Sequence, residues 1–598
     1  MTNSNRRSHA LALAAIYVTA AVIGMFLASL TYDSAFSDGQ YIPAGNDSFY
    51  HAHRILDAVE TDAGFYEFDT RLQVPEGTWI PWPWAYDYLL AQAAKFVLWL
   101  NPTINPLAFL AWVPVAWVAV NAALFLLAAG QLGLSMGFRA LLMLAFALSP
   151  LTQMPHSVAM LDHHYIEHSF VLLNIWLGLR WFSDITMHRS AAALGLALGV
   201  ATAFHNGLFI LQLPALATAF VLWCRGTHLP LRSVAWLAGA MVLTTLVMLL
   251  PSQPFQEFKF EFALHSWFHL YAAACSASVL LFMAWRPFTV SRLAGLAALS
   301  AVLAIPIAAE IMRGAAFLGT KFSVLDEIVE AKSVFQLFVD SLGPMQTLGF
   351  YSWLLLVAPL LIAFFCWQIV VQKTPQKLFF AVISVFGLAL LLTQFRFHYY
   401  GLFVLLAGTF YLLQSLSERM QWNRKACLAV SLALLAIAYQ PPLRERLFTV
   451  YPLGADFSYA AIRPLLFRLS ELCSHDPGVV LANHGDGNYV LFHTNCSVIA
   501  NNFIMRDADA TKINEIDHLF RLPVDDIRRD PIGVRYILIR ARDFSNIVDG
   551  ASEIVAASSI ARHLLLDEEP PAGYERIDTI YSESNDGTIY ARLYKVYN

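Results

Sequence analysis

The sequence predicts a polytopic α-helical membrane protein that carries a C-terminal α/β domain. Three observations predict it. Of 598 residues, 58% are hydrophobic and only 14% are charged, where a soluble protein carries about 25% charge. Apolar stretches of about 20 residues, the length that crosses a bilayer, recur up to the pair Pro441-Pro442. Beyond that pair the chain turns polar and mixed, with no long apolar run. The mean hydropathy of +0.55 agrees, and no basic footprint points to a nucleic acid.

The spans follow in order. Arg6 and Arg7 precede the first apolar run, 11–30, and set the N-terminus in the cytoplasm by the positive-inside rule. Its length favours a retained helix over a signal peptide, and Thr31-Tyr32-Asp33 offers no small-residue cleavage site. Residues 31–105 form a long external loop with an interfacial helix near 86–100. Spans follow near 107–130, 140–152, 166–183, 189–204, 207–224, 231–250, 267–285 and 290–312. A second external loop covers 313–348, before spans near 349–372, 378–394, 398–415 and 425–440. This makes 13 spans, and every basic cluster fits one register. Arg139, Arg180 with Arg189, Arg225 with Arg232, Arg286 with Arg292, Lys373 with Lys377, and Arg424 with Lys425 all fall inside. The chain is therefore expected in the inner (cytoplasmic) membrane, with domain 441–598 on the external, periplasmic side.

That domain reads as α/β. Short β-type runs occur at 478–482, 489–492, 497–500, Val534–Arg540 and 588–597, with a helix over 462–473. Pro441 and Pro442 mark its boundary, because consecutive prolines cannot continue a helix. Cys473 and Cys496 lie in this part and can pair if it faces an oxidising compartment. The other four cysteines lie in or beside apolar spans, where free Cys acts as a small hydrophobe.

Ionisable residues gather on the external face. Asp162-His163-His164 stands beside an apolar span, where charge is expensive and usually functional. Asp47 lies just after the first span on the same side. Asp47, Asp162 and His164 together offer oxygen and nitrogen ligands for a divalent cation. Carboxylate ligands suit Mg²⁺ or Mn²⁺, and the imidazole shifts the balance towards Mn²⁺. Glu330 lies in the second external loop, with Asp326 and Glu327 one turn earlier; the group is either a solvated helix face or a contact to metal or acceptor. Arg396, in 394–400, presents a planar fork of donors suited to phosphate. Gly485-Asp486-Gly487-Asn488 reads as a turn feeding a strand, in reach of an acceptor.

At these residues the chain resembles the single-subunit oligosaccharyltransferases of bacteria and archaea, within the GT-C glycosyltransferases. The resemblance implies a GT-C fold of about 13 transmembrane helices, two large external loops and an external C-terminal domain. Asp47 with Phe49-Tyr50-His51 resembles the first-loop metal-binding Asp. Asp162 and His164 resemble the second-loop pair that binds the metal. Ile328-Val329-Glu330 resembles the motif whose Glu contacts the acceptor amide, although its Thr is missing. Arg396 resembles the Arg that holds the donor pyrophosphate. Gly485-Asp486-Gly487-Asn488-Tyr489 stands where the family carries Trp-Trp-Asp-Tyr-Gly, and both tryptophans are absent.

The resemblance implies a metal-dependent membrane glycosyltransferase. Its donor is a glycan on a polyprenyl phosphate or pyrophosphate. Asp47 and Glu330 are the catalytic carboxylates, Arg396 binds donor phosphate, and Glu330, Asp486 and Asn488 face the acceptor. The acceptor is a protein, as in oligosaccharyltransferases, or alternatively a lipid or polysaccharide. A transporter or non-catalytic scaffold fits less well, because the sequence has no repeated halves and its ionisable residues cluster outside the spans.

Overall fold

The computed structural model describes residues 3–61, 65–318, 329–544, 559–582 and 589–597. Among them, ten helices are long and apolar enough to cross a membrane: Arg7–Ser29, Pro106–Gln131, Asn206–Cys224, Leu231–Leu249, Trp267–Trp285, Val290–Gly314, Trp353–Val371, Pro375–Thr393, Phe395–Arg419 and Arg424–Phe448. Met136–Leu148, His164–Ser183 and His188–Ala201 pack within the same bundle and fill the remaining expected positions. The first and last of these three are short, and the middle one opens on His164, Glu167 and His168. The chain is a multi-pass membrane protein. One large apolar cluster, from Ala20 to Tyr439, fills the bundle. Helix His164–Ser183 runs through it against Pro106–Gln131, His188–Ala201, Pro375–Thr393 and His398–Arg419. Its polar first turn is thereby fixed at one end of the bundle.

One boundary differs from expectation. Helix Arg424–Phe448 continues through Pro441 and Pro442. The two rings remove the N–H groups that would bond the carbonyls of Ile437 and Ala438. Their fixed φ is itself helical, so the loss stays local, and Tyr439 and Pro442 pack into buried positions.

The C-terminal part holds a five-stranded sheet. Its strands are β1 (Val479–Leu481), β2 (Ser497–Val498), β3 (Val534–Arg540), β4 (Tyr574–Tyr581) and β5 (Ile589–Val596), in the order β2-β1-β3-β5-β4. The first three are parallel, and β5 pairs antiparallel with both β3 and β4. Strand β4 was not expected from its sequence. The run 489–492, expected as a strand, lies instead in helix Gly487–His493. Four apolar residues carry no period that separates helix from strand. The preceding turn His484–Asp486, capped by the Asn483 side chain on Gly485 N, feeds a helix.

The expected division at residue 440 also hides a partnership. The first external loop contributes Ile42, Phe49, Tyr50, Leu72, Ile80 and Trp82 to the core of the C-terminal part. The Phe49 ring lies 4.5 Å from that of Tyr459 and 4.8 Å from that of Tyr489. Leu72 bridges to Val498 as a short parallel contact, and Gln73 Nε2 donates to Asp509 Oδ1 at 2.8 Å. Helix Asn46–Glu60, in that loop, follows Gly45 at φ +85°, where a Cβ would meet the Met160 sulfur at 3.2 Å. Only glycine takes that conformation cheaply.

Cys473 and Cys496 form a disulfide across 23 residues. It ties helix Phe457–His475 to the segment that leads into β2. Cross-linking a loop of that length stabilises by about 3 kcal/mol in the chain-entropy account. Cys473→Ser is expected to lower the melting temperature of the C-terminal part, read by thermal unfolding of the full chain. Dithiothreitol should produce the same drop in the wild type and none in the variant.

Candidate active site

The site lies where four polar segments meet the end of the bundle. Asp47 is the second residue of helix Asn46–Glu60. Asp162 and His163 immediately precede helix His164–Ser183. Arg396 sits in the turn Phe395–Phe397 that begins the span Phe395–Arg419. Glu330 lies in the turn Val329–Ala331, which packs on the Arg396 turn; Phe395 N donates to Lys332 O at 3.0 Å. Asp326, Glu327 and Ile328 lie outside the described residues.

Asp47, His164, Glu330 and Arg396 all line one cavity of about 660 Å³. Trp82, His163, His205, Asn502 and Phe503 line it as well. Phe209, Leu213, Phe268, Ile311 and Leu390 are among its many apolar lining residues, with Glu310 beside Ile311. One cavity therefore combines charged and apolar lining.

Glu167 organises the charged residues. It is fully buried, and its carboxylate accepts from Tyr399 Oη at 3.0 Å and from His164 Nδ1 at 2.6 Å. His205 Nδ1 lies 2.5 Å from its other oxygen. A carboxylate can only accept, so His164 carries a proton on Nδ1. Its Nε2 lies 3.1 Å from Asp162 Oδ2, so the ring stands between two carboxylates, with Glu167 on one nitrogen and Asp162 on the other. The buried Glu167 carboxylate fixes the orientation of the His164 ring. The Glu167 offset of three from His164 is the signal of this pairing in the sequence.

A second buried chain supports His163. Arg54 and Asp87, both fully buried, pair at 2.7 Å. Asp87 Oδ1 lies 2.6 Å from His51 Nδ1, and His51 Nε2 lies 3.1 Å from His163 Nδ1. His163 is thus more than the neighbour of a ligand. Among the described residues, two groups have ligand atoms all within 4.8 Å of one another: His51 with Asp162 and His163, and His163 with Glu167 and His205. Of the three expected ligands only Asp162 belongs to one of these groups; Asp47 and His164 belong to neither, and both line the cavity.

The electrostatics point the same way. Burial, then the charges of Asp162 and Glu330, push the Asp47 carboxyl up to about 7. Burial opposes ionisation of Asp162 too, but His164 and His163 outweigh it and hold that carboxyl well below the usual range. Burial pushes His163 down to about 4 against the pull of Asp162 and Glu167. The site therefore sets Asp47, readily protonated, near Asp162, which its histidines hold ionised.

The expected acceptor residues stand elsewhere. Asp486 and Asn488 are fully buried, and neither lines the cavity. Asp486 lies 3.1 Å from Arg540 Nε, and Asn488 bonds three other asparagines. Both are engaged by buried partners, and of the C-terminal part it is Asn502, Phe503, Ile504 and Met505 that line the cavity. The pair Asn501-Asn502 closes the polar stretch 483–502, and nothing in its local pattern distinguishes it from a turn.

No family pattern and no curated protein matches the chain. Solved structures do. The archaeal oligosaccharyltransferase AglB from Archaeoglobus fulgidus, in complex with an inhibitory peptide and a dolichol-phosphate, superposes with a TM-score of 0.75 at 13% identity, over 96% of this chain and 80% of that one. The Archaeoglobus fulgidus oligosaccharyltransferase with Zn and sulfate superposes with a TM-score of 0.64 at 14% identity, over 96% and 72%. A mutant of the arabinofuranosyltransferase AftD from Mycobacteria reaches 0.50 at 15% identity, over 97% and 41%. The chain has the GT-C fold of these enzymes.

Proposed function

We propose that this chain, which has the fold of the archaeal oligosaccharyltransferases, is a membrane glycosyltransferase that moves a glycan from a polyprenyl-linked phosphate donor to an acceptor on the external face. One observation carries the proposal: Asp47, His164, Glu330 and Arg396, from segments far apart in sequence, line a single cavity that also has many apolar residues in its lining. A phosphate-linked lipid matches both kinds of lining. The Cys473–Cys496 disulfide supports an oxidising, external setting for the C-terminal part.

Asp47, Asp162 and His164 would hold a divalent cation. The fit rests on Asp162 Oδ1, which is buried without a hydrogen bond although His163 Nδ1 lies 2.9 Å away. Mixed carboxylate and imidazole donors suit Mn²⁺ better than Mg²⁺. A bound cation supplies positive charge where the leaving phosphate becomes negative. Glu167, by accepting from Nδ1, leaves His164 Nε2 facing Asp162 as the nitrogen that would take the cation once its proton is displaced. Arg396 grips the donor phosphates with its planar fork. Glu330 accepts a hydrogen bond from the acceptor nucleophile and orients it towards the donor. The apolar lining, with Phe209 and Phe268, seats the first prenyl units and excludes water.

Arg396→Lys keeps the charge but loses the fork, and is expected to lower kcat/KM for the donor by about tenfold. Steady-state transfer from a short-chain polyprenyl donor checks this; unchanged kinetics would remove Arg396 from the donor site. The acceptor is taken as protein, as in the enzymes of like fold. A lipid or polysaccharide acceptor is the second reading, favoured by the burial of Asp486 and Asn488 and by the missing tryptophans.

A further inference from the structure

The two halves of the site are joined by a run of amides. Asn502 Nδ2 donates to Asp47 Oδ1, across 455 residues of chain. Asn488 Nδ2 donates to Asn502 Oδ1 at 2.8 Å and to Asn46 Oδ1 at 2.7 Å. Asn501 Nδ2 donates to Asn488 Oδ1 at 2.9 Å, and Asn46 Nδ2 to the Gly485 carbonyl at 2.7 Å. The directions are fixed by chemistry. A carboxylate only accepts, so the amine end of Asn502 must face Asp47. Its carbonyl end must then face Asn488, as observed. Asn488 and Asn501 are buried, so these amides cannot exchange their partners for water.

The backbone under this run is equally constrained. A Cβ at Gly487 would lie 2.3 Å from the Ala500 carbonyl and 2.9 Å from Asn501 Cα. Only glycine lets helix Gly487–His493 approach the strand end that presents Asn501 and Asn502.

We propose that Asn502 is a positioning residue for Asp47: it engages Oδ1, leaves Oδ2 as the ligand atom, and makes the metal site depend on the docked C-terminal domain. The inference rests on the metal reading given above. Neither Asn488 nor Asn46 needs to touch substrate in this arrangement; they orient Asn502 and the first turn of the Asp47 helix.

The test uses the full-length chain in detergent or nanodiscs, with Mn²⁺ titrated by calorimetry and by loss of the free-ion paramagnetic resonance signal. Asn502→Ala is expected to weaken Mn²⁺ binding about 10- to 100-fold, the usual effect of removing a residue that orients a ligand. Transfer by that variant should recover at raised Mn²⁺, with the acceptor KM unchanged. Asn488→Ala is expected to weaken Mn²⁺ binding in the same direction, although its side chain lies one amide further from Asp47. Asn502→His, which retains an N–H donor, should restore part of the affinity. The thermal midpoint of each variant is measured alongside, so that unfolding is recognised. Wild-type Mn²⁺ affinity in a folded Asn502→Ala, or a loss confined to acceptor KM, overturns the inference. Asp47→Ala serves as the reference: if it too binds Mn²⁺ like wild type, the metal reading itself has failed rather than the role of Asn502.

Discussion

Asp162→Ala is expected to reduce glycan transfer by at least about a thousandfold while the protein still inserts and folds. Asp162 lies between the two imidazoles of its own segment, with His163 Nδ1 at 2.9 Å and His164 Nε2 at 3.1 Å. Its Oδ1 is buried and makes no hydrogen bond. Removing the carboxylate therefore takes away a proposed ligand and the negative charge that lies between the two imidazoles. The fold should tolerate the change, because Glu167, His205 and Tyr399 still hold His164 and its helix from behind. Single-turnover transfer rates, compared with the size-exclusion profile of the purified variant, give the measurement. Asp162→Asn is the sharper version, since it preserves volume and removes only the charge. A folded Asp162→Asn enzyme with wild-type turnover would exclude the carboxylate from the reaction.

Arg54→Ala is expected to be the most destabilising substitution near the site, at about 3–5 kcal/mol. Arg54 and Asp87 are both fully buried and pair at 2.7 Å, and Asp87 also holds His51. Removing the guanidinium strands a carboxylate with no access to water. The same substitution removes the donor to the Tyr66 carbonyl and the stacking on Phe65, where the guanidinium carbon lies 4.3 Å from the ring centroid. The double variant Arg54→Ala with Asp87→Ala removes both charges, so its loss should be smaller than the sum of the two singles. Thermal unfolding of the four proteins closes the cycle. Strict additivity would mean that the two groups are not coupled as a buried pair.

Much of this architecture was legible in the chain, for identifiable reasons. The spans are written in apolar length, and the basic turns set their register. Asp47, Glu330 and Arg396 were legible as members of one face because each ends or follows a span on the same side. Their convergence on one cavity required the fold. What stayed hidden depends on contacts distant in sequence. Asn502 is an ordinary turn residue until helix Gly487–His493 carries it to Asp47. Asp87 and Arg54 sit in an amphipathic loop whose polar residues read as solvated, yet they are buried against each other. Residues 489–492 were too short to show a period, and Pro441-Pro442 broke two hydrogen bonds without ending the helix. Asp486 was expected to face the acceptor because of its place in the sequence; it is buried beside Arg540, outside the cavity lining.

The most direct test is reconstitution of the purified chain with a radiolabelled polyprenyl-linked glycan, Mn²⁺ and separate peptide and lipid acceptors. The account predicts label moving from the polyprenyl carrier to the peptide acceptor, dependent on Asp47 and Arg396, and lost on chelation. Label appearing on the lipid acceptor alone would select the second reading. Label remaining on the carrier with every acceptor, in a folded protein supplied with metal, would contradict the assignment as a glycosyltransferase.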